Sequence, residues 1–536
     1  MLQLSQCKIH YKKNTRSHLI KKVARALHIK PEEISNLKIC KRNIDARKKP
    51  EIYYSYTVSF EVKNEQLVLQ KNKGNRNLVV YRGEPDLQKQ ITAAPQREKI
   101  IVVGAGPAGL FAAYYLSLCG QKPLVVERGA EMEERIEEVE KFWKEMTLEP
   151  ESNVSFGEGG AGTFSDGKLN TGVKDKTGKK RFVLESFVRF GAGEDILYDT
   201  NPHIGTDVLR KVIINMRKEM EQLGCRFLFR TKVTGLLTDE TCILHGVQVS
   251  RGNKTETMAC DRLILAIGHS ARDTFDMLCE NGVEMSPKAF AVGVRVQHNQ
   301  DDINRMQYGI ADNELPPAPY KCTGKTKDGR GVYSFCMCPG GYVVNASTEK
   351  GGLVVNGMSN VARDSGAANS AIVVTIEPED FEGDNPLAGV RFQRKWEQKM
   401  YGLLQGKIPV QRYGDFKNDV LTTSCGCVKP CVKGQWGYAN LRKALPKFVI
   451  NGMMDGMECF DKKLSGFADD DALLMGFEAR TSSPVRIERG TDFVSKSHDG
   501  LYPCGEGAGY AGGIMSAAMD GLRVAMAIQE KWRKEE

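Results

Sequence analysis

The sequence predicts an α/β fold: a parallel-sheet domain interrupted by a mixed, strand-rich domain and preceded by a small α+β domain. Three observations support this expectation. An apolar strand runs into a glycine-rich turn and a helix near residue 101, a second glycine-rich motif occurs near the C-terminus, and the first hundred residues are strongly basic. With 536 residues the chain exceeds one hydrophobic core. We expect boundaries at 1–95, 96–275, 276–465 and 466–536, the second and fourth ranges forming one domain.

The stretch "IVVGAGPAGLFAAYYLSLCG", residues 101–120, is apolar and about as long as a membrane-spanning helix. Its glycines argue against that interpretation, because they follow a strand-type run with the spacing G-x-G-x-x-G and precede a helix-type run. This order is typical of a Rossmann-like dinucleotide site, where glycines permit a tight turn and a close approach of backbone to a pyrophosphate. The phosphates then meet the N-terminus of the helix. The predicted contacts are Gly104, Gly106, Pro107, Ala108 and Gly109.

A second short strand, "PLVV", follows the helix and ends in Glu127 and Arg128. Glu127 lies 18 residues beyond Gly109, about where a carboxylate accepts the ribose hydroxyls of an adenosine. The alternative is an ordinary strand–helix–strand unit with a surface glutamate. The complete pattern favours a nucleotide site.

Charge is distributed unevenly along the chain. Residues 1–100 contain 22 Lys and Arg against 9 Asp and Glu, whereas the remainder contains 54 against 58. Such a basic segment is one signature of nucleic-acid binding. Here the charges alternate with apolar residues, as on the solvated face of a small folded domain, so we do not expect it to bind nucleic acid. No other stretch is apolar enough for a membrane span.

The fifteen cysteines are irregularly spaced and odd in number, which indicates reduced thiols. The N-terminal "MLQLSQCKIHYKK" has no apolar signal-peptide core. From both features we expect a cytoplasmic protein.

The segments after Glu127 distinguish a flavin site from a nicotinamide site. Short strands over 226–260 end in "DRLILAIGHSA", an apolar strand followed by Ala-x-Gly at Gly268. Much later comes "GLYPCGEGAGYAGGIMSAAMDG", in which a glycine–acid step precedes two glycines that open the last helix. A carboxylate there can accept from ribityl hydroxyls, and a helix N-terminus can stabilise a reduced flavin ring. The predicted contacts are Gly505, Glu506, Gly512, Gly513, Ile514 and Met515.

Residues 98–536 resemble glutathione-reductase-type FAD oxidoreductases, in the branch with one dinucleotide fingerprint. The full length resembles a family of bacterial FAD-dependent dehydrogenases with a small N-terminal α/β domain. The closer resemblance rests on "FGEGGAGTFSDGKLNTG", "HIGTDVL", "AVGVRVQH", "FCMCPGGYVV", "GFEARTSSPVRI" and "CGEGAGYAGGI". It implies bound FAD, with further contacts from Gly159, Gly160, Gly162, Thr163 and, at the adenine, Val233. One departure is Gly505–Glu506, where the wider superfamily usually has Gly-Asp.

Candidate catalytic residues are those expected near the flavin ring. "GFEARTSSPVRIER" precedes the last flavin motif, at a point where the related folds bring a loop beside the flavin ring. The resemblance therefore makes Arg480 and Arg486 candidates for holding an anionic substrate or stabilising reduced flavin, and Ser482 or Ser483 a candidate for donating a hydrogen bond to the ring. A salt-bridged structural loop is an equal alternative for this segment. His203 and His269 are candidate acid–base groups, although packing or capping explains each of them as well.

Two C-x-C pairs fall within the expected substrate domain: Cys336 with Cys338, and Cys425 with Cys427, the latter followed by Cys431. Thiols beside a flavin are compatible with disulfide reduction or with a metal or cluster. The spacing is not the C-x-x-C of zinc or thioredoxin-like sites, and ordinary unreactive thiols remain the simplest interpretation. We predict no metal site.

These features predict an FAD-dependent oxidoreductase that transfers hydride between a small organic substrate and flavin N5. A nicotinamide donor, NADH or NADPH, would bind transiently, because a second fingerprint is absent from the sequence. Two alternatives stay open: a flavin-dependent factor that binds or modifies nucleic acid, and a flavin/dithiol disulfide reductase. The identity of the substrate and the oligomeric state do not follow from the sequence.

Overall fold

The N-terminal region forms a four-stranded antiparallel sheet with two helices in the computed structural model, which describes residues 1–383 and 385–534. Its elements are β1 (Leu2–His10), α1 (Arg16–Leu27), β2 (Ile34–Lys48), β3 (Glu51–Val62), α2 (Glu65–Lys71) and β4 (Leu78–Val80). The sheet order is β2-β3-β1-β4. Thr15 caps α1 by accepting a hydrogen bond from the His18 amide at 3.3 Å, and Val23 and Phe60 belong to the core of this region.

This basic region is docked on the rest of the molecule. Arg42 in β2 forms a bidentate ion pair with Asp199 at 2.6 and 2.7 Å, and its backbone pairs with the segment around Asp199. Tyr11 donates a hydrogen bond to Asp312 at 2.8 Å. The region therefore contacts both the segment that precedes α6 (Thr206–Gln222) and the strand-rich part of the chain, and one of its cations is used in docking.

The glycine turn and its helix open a second region. Its elements are β5 (Ile100–Val103), α3 (Pro107–Leu118), β6 (Leu124–Val126), α4 (Met132–Glu145), α5 (Lys179–Arg189), α6 (Thr206–Gln222), β7 (Arg226–Leu228), β8 (Lys232–Thr238), β9 (Leu244–Arg251), β10 (Lys254–Ala259), β11 (Arg262–Leu265) and α7 (Arg272–Glu280). Strands β8, β9 and β10 form an antiparallel meander, as the short strands after residue 226 predict.

The remaining elements build a mixed sheet and return to the parallel one. They are β12 (Met285–Pro287), β13 (Phe290–Asn299), α8 (Gln300–Tyr308), β14 (Thr323–Lys325), β15 (Gly331–Cys338), β16 (Tyr342–Asn345), β17 (Val355–Met358), β18 (Ala367–Ile376), α9 (Ala388–Leu404), β19 (Ile408–Arg412), α10 (Tyr413–Lys417), β20 (Val432–Lys433), β21 (Trp436–Tyr438), α11 (Lys447–Asp461), β22 (Leu473–Glu478), β23 (Val485–Ile487), β24 (Leu501–Pro503) and α12 (Ile514–Lys534).

Two large sheets organise the body. The parallel sheet has the order β24-β11-β5-β6-β7, so the C-terminal strand β24 joins β11 in register Leu263–Leu501, although the whole strand-rich region separates them in the chain. The second sheet has seven strands in the order β14-β15-β18-β13-β22-β19-β21. Ligands of open parallel sheets bind beyond the carboxyl ends of the strands. Those ends, after β5, β6, β11 and β24, carry the glycine and acid motifs found in the sequence, and the α/β fold class is confirmed.

Candidate active site

A cleft of about 650 Å³ lies between the carboxyl edge of the parallel sheet and the wall formed by β15 and β17. Fourteen of the nineteen cofactor-binding residues predicted from the sequence line it. They are Gly104, Gly106, Pro107, Ala108, Glu127, Arg128, Gly160, Gly162, Val233, Gly268, Glu506, Gly512, Gly513 and Ile514. Segments far apart in the chain thus converge on one cavity.

The glycine turn has the geometry that its sequence requires. Gly104 has φ +99°, and a Cβ there would lie 2.3 Å from the carbonyl oxygen of Ala266. A Cβ on Gly109 would lie 1.9 Å from the Gly104 carbonyl oxygen, so this glycine permits α3 to pack on β5. Gly106 differs, because its nearest neighbour would be the Gly160 Cα at 3.8 Å. Gly106 therefore leaves free space on the cleft side, which is the space that the predicted pyrophosphate contact at the start of α3 requires.

Glu127 is buried and accepts three backbone hydrogen bonds. One carboxylate oxygen accepts from Gly129 and Gly157, both at 2.9 Å, and the other accepts from Ala105 at 2.8 Å. A carboxylate offers about four acceptor positions. One position on the second oxygen therefore remains for a ribose hydroxyl, so Glu127 both holds the loops together and can meet the nucleotide.

Arg128 lies next to Glu127 with its guanidinium 4.2 Å from the centre of the Phe156 ring. It also pairs with Glu151 at 2.7 Å and with Asp273 at 2.8 Å. These contacts fix the arginine as a rigid part of the cleft wall near Val233. The predicted cofactor contact of Arg128 is compatible with this position.

The glycine-rich loop after Phe156 is held by an arginine that the sequence did not reveal. Arg135 of α4 is fully buried and donates to five backbone carbonyls, those of Asn153, Val154, Gly157, Glu158 and Gly160. Burial lowers the pKa of Arg135 to about 9, and the nearby Glu127 partly opposes this shift. Its position in an acidic helix gave no signal that it turns inward.

Five predicted contacts lie outside the cleft lining: Gly109, Gly159, Thr163, Gly505 and Met515. A Cβ on Gly159 would meet the Thr163 hydroxyl at 2.2 Å, so these two residues face each other behind the loop. Met515 is buried in the hydrophobic core around α3 and α12. These residues shape the site from behind, and any direct contact with cofactor stays a prediction.

The C-terminal motif brings Glu506 and the start of α12 to the cleft. A Cβ added at either Gly512 or Gly513 would have no neighbour within 4 Å, and Gly513 has φ +119°. Burial raises the pKa of Glu506 to about 7, although Lys288 and the Gly513 amide oppose the shift. Near neutral pH this carboxyl is thus present in both protonation states, so it can donate as well as accept.

The candidate catalytic residues have different positions. Arg480 lines the cleft, but its guanidinium bonds Glu397 at 3.1 and 3.2 Å, Ser270 at 2.9 Å and Thr348 at 2.7 Å. Ser482 lies outside the lining and accepts from Lys288 at 3.3 Å. Arg480 therefore positions its neighbours, and most of its donors are already used. Its direct role in catalysis, like that of Ser482, stays a prediction.

The two candidate histidines are also separated. His269 lines the cleft and lies 2.7 Å from the Ser270 hydroxyl, and burial, followed by Arg480 and Arg272, lowers its pKa to about 3. His203 lies outside the lining beside Lys168, and burial and Arg363 lower its pKa to about 4. Both imidazoles are neutral at physiological pH, so a proton-donating role would use the neutral ring.

Several cleft residues were missed by the sequence analysis. Asp166, Lys168 and Arg363 form a charged group in the cleft lining, with Arg363 2.8 Å and Lys168 3.5 Å from Asp166. Burial raises the pKa of Asp166, but the two cations outweigh it and lower the pKa to about 2. Asp166 and Lys168 stand within the quoted glycine-rich motif, which was the available signal; Arg363 carried none.

The two cysteine pairs occupy different places. Cys336 and Cys338 line the cleft, with Cys338 Sγ 3.3 Å from the Cys336 carbonyl oxygen at a bulge where Cys336 has φ +43°. Cys425, Cys427 and Cys431 are outside the lining, and all fifteen cysteines are free thiols. Among the described residues no group of three or more His, Cys, Asp or Glu side chains is arranged to hold a metal ion.

Three features of the cleft fit a dinucleotide with a flavin. They are the open space at Gly106, Gly512 and Gly513, the remaining acceptor position of Glu127, and Glu506, whose carboxylate can take up a proton. In such a fit, backbone amides would meet the phosphates, a carboxylate the ribose and the start of α12 the ring; these individual contacts stay predictions. Along residues 1–383 and 385–534, no helix is long and apolar enough to cross a membrane.

Comparison with known proteins supports this fit. Residues 98–277 match the family model described as pyridine nucleotide-disulphide oxidoreductase, residues 289–481 match the FAD-dependent protein C-terminal domain-like model, and residues 1–61 match a domain of unknown function. An uncharacterized protein of Clostridium beijerinckii is 46% identical over 523 residues, which cover 96% of each chain.

Solved structures give weaker likenesses. A geranylgeranyl bacteriochlorophyll reductase-like protein from Thermoplasma acidophilum superposes with a TM-score of 0.36 and 11% identity. The match covers 82% of this chain and 80% of the Thermoplasma chain. A glycerol-3-phosphate dehydrogenase from Bacillus halodurans complexed with FAD has a TM-score of 0.35 and 13% identity. That match covers 84% of this chain and 67% of the dehydrogenase chain. The family models confirm the predicted FAD cofactor. The chain belongs to the same family as the Clostridium beijerinckii protein and is an FAD-dependent oxidoreductase.

Proposed function

We propose that the protein transfers hydride between a small organic substrate and FAD, and that the substrate enters the part of the cleft bounded by β15 and β17. The observation that carries this proposal is the continuity of the cleft, which runs from the glycine turn at Gly106 to Cys336 and Arg363. FAD supplies the hydride acceptor or donor at N5. The protein supplies position, charge and exclusion of water.

Individual residues divide this work. The amides at the start of α3, beside Gly106, would hold the phosphates, and Glu127 would hold the adenosine end. The positive end of α12 would favour negative charge on a flavin ring bound beside it. Glu506, with a pKa of about 7, can hold or release a proton beside this helix start. His269 presents a neutral imidazole to the same cavity.

The test is the absorbance spectrum of purified protein followed by anaerobic titration with NADPH and NADH. We expect an oxidised flavin spectrum that one of the two nucleotides bleaches, because a transient donor can reach the open cleft. If neither nucleotide reduces the flavin, an organic donor or a carrier protein takes its place in the proposal. A protein that is colourless and does not take up FAD on reconstitution contradicts the proposal altogether.

A second candidate, a flavin/dithiol disulfide reductase, is favoured by the position of Cys336 and Cys338 in the cleft wall. Reduced flavin would give two electrons to a Cys336–Cys338 disulfide, which takes up protons to become two thiols, and the dithiol would then reduce a disulfide substrate by exchange. Desolvation by the cleft wall raises the pKa of Cys336 to about 12, so the reduced pair keeps its protons at neutral pH, which slows the thiolate attack that exchange requires.

Electron counting tests this candidate. If the disulfide forms, air-oxidised holoenzyme takes up about four electrons per FAD in a dithionite titration, and the double variant C336S/C338S takes up about two. The matched control is C425S/C427S, which removes the other C-x-C pair outside the cleft and should leave the uptake at about four. The tryptic peptide 331–350 contains both cleft cysteines and no other cysteine, so its mass under non-reducing conditions locates the bond directly. Uptake of two electrons by the wild type excludes the dithiol.

A further inference from the structure

The cations on the substrate side of the cleft are arranged around one buried acid. Asp166 accepts hydrogen bonds from Arg363 at 2.8 Å and from the Ser359 hydroxyl, and the Lys168 ammonium lies 3.5 Å away. Lys168 also donates to the carbonyl oxygen of Met337, which lies between the two cysteines of β15. The contact of Lys168 with Met337 attaches this group to β15, and Asp166 joins Arg363 to it.

The charge that this group presents to the cleft is positive. The Asp166 side chain is only 3% exposed, whereas the side chains of Lys168 and Arg363 are 31% and 13% exposed. Burial opposes the charge of Lys168, but Asp166 outweighs it and raises the pKa, so the ammonium stays charged at neutral pH. Asp166 therefore lies beneath Lys168 and Arg363, away from solvent. It orients these two cations, and their excess positive charge faces the cleft.

The donors of these cations are not used up within the protein. Arg363 gives one of its five N–H donors to Asp166, and within residues 1–383 and 385–534 its buried Nε has no hydrogen-bond partner. Lys168 has three donors, of which one is bonded to Met337 and a second is directed at Asp166. Charged hydrogen bonds to a planar carboxylate are among the stronger polar contacts in proteins.

The other cations of the cleft are committed elsewhere. Arg128 is paired with Glu151 and Asp273, and Arg480 is paired with Glu397. Behind the wall Arg295 is fully buried and lies 3.5 Å from Glu478, whose pKa is raised to about 7 by burial.

We propose that Lys168 and Arg363 bind the carboxylate of a small organic acid, which is the substrate of the enzyme. This inference rests on the proposed function, because it names the class of molecule that exchanges hydride with FAD. It transfers the anion-binding role that the sequence suggested for Arg480 and Arg486 to two other residues of the cleft lining. Arg486 is exposed and lies outside the cleft lining.

The experiment measures binding to oxidised holoenzyme, so it does not depend on turnover. Benzoate and succinate are titrated against the protein while the flavin absorbance spectrum is recorded, and benzamide and succinamide serve as uncharged isosteres. We expect the carboxylates to perturb the spectrum with saturation and the amides to have no effect. K168M and R363M should each weaken carboxylate binding about tenfold or more, because each removes a charged hydrogen bond.

Two further variants distinguish a direct contact of Lys168 with the carboxylate from a general effect of positive charge in the cleft. K168R keeps the charge and should retain most of the binding, which would show that binding needs the positive charge at this position. Lys321 is exposed and also lines the cleft, so K321M should leave binding unchanged. FAD content is measured for every variant. Equal weakening by K321M, or wild-type protein that no carboxylate perturbs, overturns the anion site. Failure of every electron donor to reduce the flavin would instead contradict the hydride-transfer proposal and leave the binding result intact.

Discussion

Glu397→Ala is expected to lower the free energy of unfolding by about 3–5 kcal/mol, because it removes the carboxylate partner of the buried Arg480 and leaves the buried Arg272 with Glu349 alone. Glu397 is 1% exposed and accepts four hydrogen bonds, two from Arg272 at 2.7 and 3.0 Å and two from Arg480 at 3.1 and 3.2 Å. Arg272 begins α7 beside the FAD cleft, whereas Glu397 belongs to α9. The variant should therefore also loosen the contact between the two sides of the cleft.

Urea denaturation of the holoenzyme, followed by circular dichroism and by release of FAD, measures both effects. The matched control is Glu349→Gln, at the outer end of the same network, where Glu349 is 31% exposed and pairs with Arg272 at 2.8 Å. A partly exposed pair contributes only about 1 kcal/mol or less. Equal losses for the two variants would show that burial of Glu397 does not determine the effect.

The same carboxyl gives stability a dependence on pH with a definite sign. Burial raises the pKa of Glu397, but Arg272 and Arg480 outweigh it, so the folded-state pKa is lowered. A lowered folded-state pKa contributes stability that is present above the unfolded-state pKa of about 4.3 and is lost as the pH falls through the folded value. The wild type should lose this contribution in acid, and Glu397→Gln should lack it at every pH.

The nucleotide half of the site could be predicted from sequence because its signals are local. The spacing of Gly104, Gly106 and Gly109 and the distance to Glu127 are fixed within one strand–turn–helix–strand unit, and the structure brings three of these four residues into the cleft lining. Glycine is also a specific signal, because a Cβ at Gly104 or Gly109 would clash with a backbone carbonyl oxygen. The family resemblance extended the same logic to Glu506 and Gly513.

The substrate half could not be predicted in the same way. Arg363 and Asp166 are 197 residues apart, and Arg272 and Glu397 are 125 residues apart, so their pairing depends on the packing of separate sheets. Arginine and glutamate occur throughout the chain, and no spacing rule marks the ones that turn inward. For this reason the sequence left Arg480 with two equal interpretations, an anion-binding group near the flavin ring or part of a salt-bridged loop, and its partner Glu397 lay outside any recognisable motif.

Loop residues show an intermediate case. Gly159 and Gly160 are adjacent, yet Gly160 lines the cleft and Gly159 faces Thr163 behind the loop. Both have positive φ, +83° and +63°, and such turns reverse the direction in which successive residues face. A motif identifies the loop, but the direction of each residue depends on the buried Arg135 that holds it.

Gly109→Ala and Gly106→Ala should separate folding from cofactor binding, although the two glycines belong to one motif. At Gly109 the added Cβ would lie 1.9 Å from a backbone carbonyl oxygen, which cannot move without shifting α3 from β5. We expect Gly109→Ala to lower the free energy of unfolding by about 3 kcal/mol or more, with or without FAD. Denaturation of apoprotein and holoprotein measures this loss.

At Gly106 the added Cβ meets no protein atom closer than 3.8 Å, and the residue has an ordinary φ of −79°. The apoprotein of Gly106→Ala should therefore unfold like the wild type. Its affinity for FAD should fall about tenfold or more, because the methyl group occupies the space through which backbone amides approach the pyrophosphate. Wild-type affinity for FAD in Gly106→Ala would mean that the phosphates lie elsewhere in the cleft, and equal destabilisation of both apoproteins would mean that Gly106 has a packing role as well.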